Sequence, residues 1–129
     1  MKKLALIGVA AAGLFASAAS AAVMSAPPAD SWTVTNYYKQ AVYNGNQTKI
    51  GDVDDVLVDK SGKITGLVIG VGGFLGVGTK DVIVPFSDVS VEKKNDKWWL
   101  KIDETKASLK AAQGFSYDHD TTTWRPEKS

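Results

Sequence analysis

From residue 39 onward, short apolar runs alternate with clusters of turn residues at a spacing of roughly ten residues. Lys39 to Tyr43 precedes Asn44-Gly45-Asn46-Gln47, a cluster whose Asn-Gly pair favours positive φ. Ile50 to Asp59 is a β-branched run that ends at Asp59-Lys60-Ser61-Gly62, again a hairpin signal. Ile64 to Val71 is the next run, and a glycine-rich stretch follows it. In Asp81 to Phe86, the residues Val82, Val84 and Phe86 hold alternate positions, as Val89 and Val91 do with Ser90 and Glu92. Lys94-Asn95-Asp96-Lys97 turns the chain, after which Trp98, Leu100 and Ile102 alternate with Trp99 and Lys101. The pattern predicts a mainly β protein: about six short strands in a small antiparallel barrel or sandwich. One helix is predicted, Glu104 to Gln113, with Asp103 as N-cap and Gly114 as its stop. Its stripe of Ala107, Leu109, Ala111 and Ala112 could close one barrel end.

The first 21 residues change the picture, because they follow a different plan. Lys2 and Lys3 precede the apolar run Leu4 to Phe15, and Ala19-Ser20-Ala21 presents small residues where a signal peptidase reads. That run is too short for a helix crossing a bilayer core, which takes about 20 residues. Residues 1–21 therefore read as a cleavable signal peptide, and the expected location is the periplasm. Removing them from 129 residues leaves 108, about one small domain. Residues 22–31 (AVMSAPPADS) lack periodicity and read as a flexible leader, with the domain at 32–118 and a polar tail at 119–129. Only Trp124 looks able to anchor that tail.

Losing Lys2 and Lys3 lowers the basic count from 15 to 13 against 14 acidic residues, a net charge of −1. Such a chain has no electrostatic footprint for nucleic acid or anionic lipid. Cysteine is absent, which excludes disulfides, thiol catalysis and zinc-thiolate sites.

Three segments of the strand region resemble one known family. Lys49-Ile50-Gly51-Asp52-Val53-Asp54-Asp55-Val56-Leu57-Val58-Asp59 resembles the opening of a PRC-barrel domain. Val68-Ile69-Gly70-Val71-Gly72-Gly73-Phe74-Leu75-Gly76-Val77-Gly78, then Lys80-Asp81-Val82 and Val84-Pro85-Phe86, is similar to its central segment. Thr105-Lys106, Leu109, Ala111-Ala112 and Phe115-Ser116-Tyr117 resemble its closing helix and exit. This barrel takes its name from the H subunit of the photosynthetic reaction centre and also occurs in a ribosome-maturation factor. The resemblance implies a binding or assembly module with no catalytic residue set. Neither named role transfers to a chain with an export signal and no basic surface.

Gly73 to Lys80 (GFLGVGTK) approaches the phosphate-binding pattern G-x-x-x-x-G-K-[ST], but Thr79-Lys80 is inverted. The predicted strand beginning at Asp81, with Pro85 inside it, stands where that motif needs a helix. Nucleotide binding is excluded on this ground. The glycines Gly70, Gly72, Gly73, Gly76 and Gly78 read instead as a structural strand-to-strand connection. Phe74 and Leu75 are its only bulky side chains, either plugging the barrel or forming an apolar tip for a partner or a second copy.

Asp52, Asp54, Asp55 and Asp59 alternate along a strand, so Asp52 and Asp54 are expected to face away from Asp55 and Asp59 and cannot share a cation. No metal or cofactor is expected. His119 is the only histidine and no serine has a nucleophile-elbow context, so no acid, base and nucleophile converge and the chain reads as no enzyme. Of the adjacent Trp98 and Trp99, one must lie outside the core, either packed under a terminal segment or offered to a partner. The expectation is a periplasmic protein-interaction or assembly module, with Phe74, Leu75 and Trp99 as contact candidates. A small-ligand-binding barrel is the alternative, though six short strands barely enclose a cavity.

Overall fold

The computed structural model describes residues 22–72 and 79–128. Residues 22–31 belong to one unit and the chain from Trp32 onward forms another. Within the first, the Ser31 N–H donates to the Pro28 carbonyl at 3.2 Å.

In the second unit the apolar runs become strands: β1 (Ala41–Tyr43), β2 (Lys49–Val58), β3 (Ile64–Gly72), β4 (Thr79–Pro85), β5 (Ser90–Lys94) and β6 (Lys97–Lys101). Two turns on one plan frame β2. Asn44 Oδ1 accepts from the N–H groups of Asn46 and Thr48, and Asp59 Oδ1 accepts from those of Ser61 and Lys63. Each turn then needs one left-handed residue, three positions after its Asx. Gly62 supplies it at φ 91° in the second turn, whereas in the first it falls on Gln47 at 63° and not on Gly45 of the Asn-Gly pair.

Alternation along these strands separates a core from a surface. Val42, Ile50, Val53, Leu67, Ile69, Val71, Val82, Val84, Leu100 and Ile102 are all buried in one cluster with Tyr37 and Leu109. Burying each such aliphatic side chain contributes roughly 1.5–3 kcal/mol, and this cluster is the main source of stability.

The helix α1 (Lys106–Ala111) is shorter than predicted, and its N-cap is Thr105, not Asp103. Thr105 Oγ1 accepts from the Ser108 N–H and Ser108 Oγ from the Thr105 N–H, a reciprocal box that starts the helix two residues late. Leu109 carries its buried face.

The sheet corrects the predicted barrel. It has eight strands, not six, in the order β5-β6-β1-β2-β3-β4-β7-β8, and it is not closed. The added pair, β7 (Phe115–Asp118) and β8 (Thr123–Pro126), forms a hairpin in which Phe115 and Tyr117, then Trp124 and Pro126, alternate with polar residues over runs of only four. From the sequence these residues fall in the domain's exit and the polar tail. The sheet is also not wholly antiparallel, since β1 meets β6 in parallel through Val42↔Leu100 and Tyr43↔Lys101. β5 and β8 remain as edges, but the Trp124 indole N–H of β8 donates to Asp55 Oδ2 of β2 at 2.7 Å. Strands four places apart in a flat sheet would lie about 19 Å from each other, so the sheet curls strongly.

Candidate functional site

Two groups of side chains remain after the core is accounted for. The first is aromatic. A row of rings runs outward from the core: Phe86 to Tyr37 at 5.3 Å, Tyr37 to Trp32 at 5.2 Å, and Trp32 to Trp98 at 4.3 Å. Trp98 ends the row at the surface with 41% of its area exposed. Period-2 alternation sends the next residue, Trp99, to the opposite face of β6, where its ring lies 4.3 Å from Tyr43. The Trp99 indole N–H is buried and has no acceptor. Where β6 and β1 begin, these residues border an open cleft of about 370 Å³ that Asn36, Gln40 and Lys97 also line. Aromatic faces, two amides and an ammonium suit a partner that is part apolar and part hydrogen-bonding.

Phe74 and Leu75, and with them Gly73, Gly76 and Gly78, lie outside the described residues. Gly72 ends β3 at φ 135°, opposite Thr79, and Gly70 is buried in the middle of the sheet. Trp99 sits in β6, which β1 and β2 separate from β3.

The second group surrounds Gly70. Gly70 pairs with Asp52 of β2 on one side and with Asp81 of β4 on the other. The β2–β3 register slips between Val53 and Asp55, which leaves Asp54 as an extra residue, a β-bulge. This overturns the expectation that Asp54 and Asp55 face apart, because the bulge interrupts alternation. Asp55, opposite Val68, reaches Trp124, while Asp54 reaches over Gly70. A Cβ at position 70 would lie 2.5 Å from Asp54 Oδ2 and 3.4 Å from Asp81 Oδ1, so the missing side chain leaves the space in which the two carboxyls meet. With both ionised, Asp81 Oδ1 is buried without a donor. Burial first, then the hydrogen bond and charge of Asp54, then the charge of Glu127, push the Asp81 carboxyl up to about 7. A proton on the Asp81 carboxyl would supply a donor towards Asp54.

Sequence reasoning missed this pair, although the turns at Asp59 and the glycine stretch place residues 52, 70 and 81 in one row. The bulge was the hidden step. Among the described residues, no group of three or more acidic, histidine or cysteine side chains is placed to hold a metal ion. No helix among them is long and apolar enough to cross a membrane. His119 lies at the tip of the β7–β8 hairpin with its ring 4.9 Å from Tyr117.

The family model for the PRC-barrel domain matches residues 32–109, more than half of the chain. The chain belongs to the PRC-barrel family. No curated protein matches it. In this PRC-barrel chain the matched span takes in the whole aromatic row and both Asp54 and Asp81, and it ends in α1. The hairpin β7–β8, which carries Trp124, lies C-terminal to the matched residues.

Proposed function

We propose that this protein is a non-catalytic PRC-barrel protein of the periplasm that serves as a protein-interaction or assembly module in the cell envelope. Export rests on the pattern of Lys2, Lys3, Leu4 to Phe15 and Ala19-Ser20-Ala21. The observation that carries the interaction reading is the aromatic cleft. Trp98 is braced from behind by Trp32, so its exposed face loses little side-chain freedom on contact, and tryptophans of this kind dominate interface energies. The side chains of Asn36, Gln40 and Lys97 in the same cleft supply hydrogen-bonding groups suited to a bound polypeptide. Phe74 and Leu75 stay candidate contacts on sequence grounds.

A photo-crosslinking residue at position 36, in the cleft wall, should give a discrete envelope adduct in cells that Lys97→Glu abolishes while the melting temperature stays unchanged. Equal adduct yield from the same residue placed at exposed Val58 would sink this reading. The alternative, a small-ligand binder, draws support from a cleft of about 470 Å³ between β4 and α1, with Ile83, Ile102 and Leu109 in its walls and Asp88, Asp103 and Glu104 among its lining residues. Those carboxylates would favour a cationic ligand with an apolar body.

A further inference from the structure

We propose that Asp54 and Asp81 form a proton-operated latch that docks the C-terminal hairpin β7–β8 on the sheet at acidic pH and loosens it as pH rises. The hairpin is held to its neighbour by little. Among the described residues its ladder with β4 has one register pair, Asp81↔Phe115, and the Trp124–Asp55 hydrogen bond ties it to β2. The residue that makes the ladder contact is therefore also the half-buried residue whose Oδ1 is buried without a partner.

The charges around Asp81 are one-sided. β2 contributes Asp54, facing it across Gly70, Asp55 beyond, bound to Trp124, and Asp52, which pairs with Gly70 and is ion-paired with Lys49 at 3.0 Å. β3 contributes only Gly70 and Val68 at this point, neither of them charged. Just past β8, Glu127 adds a third carboxylate, fixed by the hydroxyl of Ser116 at 2.9 Å and felt by Asp81. On the hairpin side, Lys80 and Lys128 line the cleft beside Gly114. Lys80 donates its ammonium to the Lys110 carbonyl at the end of α1, at 2.5 Å, so part of its donor capacity is already used there.

When Asp81 holds a proton, it loses its charge and can donate to Asp54. When the proton leaves, two carboxylates face each other in a poorly hydrated notch and Glu127 adds to the repulsion. Separating β4 from the hairpin carries Glu127 away and admits water to Asp81, which screens its charge from Asp54 across Gly70. The docked state is thus the state that holds the proton. The sign follows from linkage. The Asp81 carboxyl is raised to about 7 in the docked form, and undocking removes the hairpin's share of that rise, its burial and Glu127, while Asp54 stays in place; docking is therefore strongest below the undocked value and is lost as pH rises through 7. Opening increases at most tenfold per pH unit across that window and levels off above it. Solvent screening at a partly exposed site lowers the slope.

Native-state hydrogen exchange on the whole chain, corrected for intrinsic rates, tests the latch. Protection of the Phe115–Pro126 amides is expected to fall at least about tenfold from pH 5 to pH 8, with the amides of β2 and β3 unchanged. Asp81→Asn cannot take up the charge and should keep the hairpin equally protected at both values. Gly70→Ala should push Asp54 aside and move the midpoint towards acid. Equal hairpin protection at pH 5 and pH 8 in the native chain overturns the proposal without any variant. A pH response that persists in Asp81→Asn overturns it as well.

Discussion

Replacing Gly51 by alanine should damage the sheet far more than its single added methyl suggests. Gly51 lies in β2, paired with Val42 of β1. A Cβ there would stand 2.4 Å from the Gly70 carbonyl oxygen and 2.9 Å from Ile69 Cγ2. The first distance is about 1 Å inside ordinary contact. The atom in the way belongs to the backbone of β3, whose neighbours on both sides are set by the Asp52↔Gly70 and Gly70↔Asp81 pairs. It cannot rotate aside, so β2 and β3 must part at the centre of the sheet. Overpacking costs about 1–3 kcal/mol, here at the upper end, and the stiffer unfolded chain returns about 0.5 kcal/mol. A net loss of about 2 kcal/mol lowers the melting temperature of a domain this size by about 8–16 °C. Thermal unfolding followed by circular dichroism measures it, with Gly45→Ala as control because nothing lies within 4 Å of a Cβ at that position. A Gly51→Ala protein that melts within 2 °C of the parent would show that the close approach of β2 and β3 does not exist.

The turn at Asn44 offers the opposite sign: Gln47→Gly should stabilise by about 0.5 kcal/mol, since Gln47 bears a left-handed φ of 63° where the twin turn has Gly62. Chemical denaturation checks this, and a destabilised variant would refute the match between the two turns. At low pH two exposed carboxylates act against Asp81. Asp59 is held below the usual carboxylate range, first by the Ser61 hydroxyl and then by the Lys63 N–H, and Asp118 first by the Asp120 N–H. Their contribution is present above the ordinary carboxylate value and lost as pH falls through their lowered ones. Stability should therefore drop below about pH 4, a drop that Asp59→Asn makes shallower in acid titrations.

The periodicity of the sequence shows β1 to β6 because burial is decided residue by residue. A strand with one face on the core must place Val82 and Val84, or Leu100 and Ile102, at alternate positions, and those four are buried. Turn chemistry is equally local, which is why Asn44 and Asp59 mark their hairpins in the sequence. The helix was visible as an apolar stripe, but its start depended on whether Asp103 or Thr105 took the cap, and Ser108 decided it through a hydrogen bond. Pairing order is another matter. Ladder hydrogen bonds join backbone to backbone, so no side-chain pattern announces that β1 meets β6 in parallel, and the alternation in β7 and β8 spans only four residues in each strand. The carboxyl pair needed three strands in register, a bulge at Asp54 and a missing side chain at Gly70. Each residue stood in the sequence from the start, but only folding sets two like charges in one notch, because their proximity is a property of the register and not of any one strand.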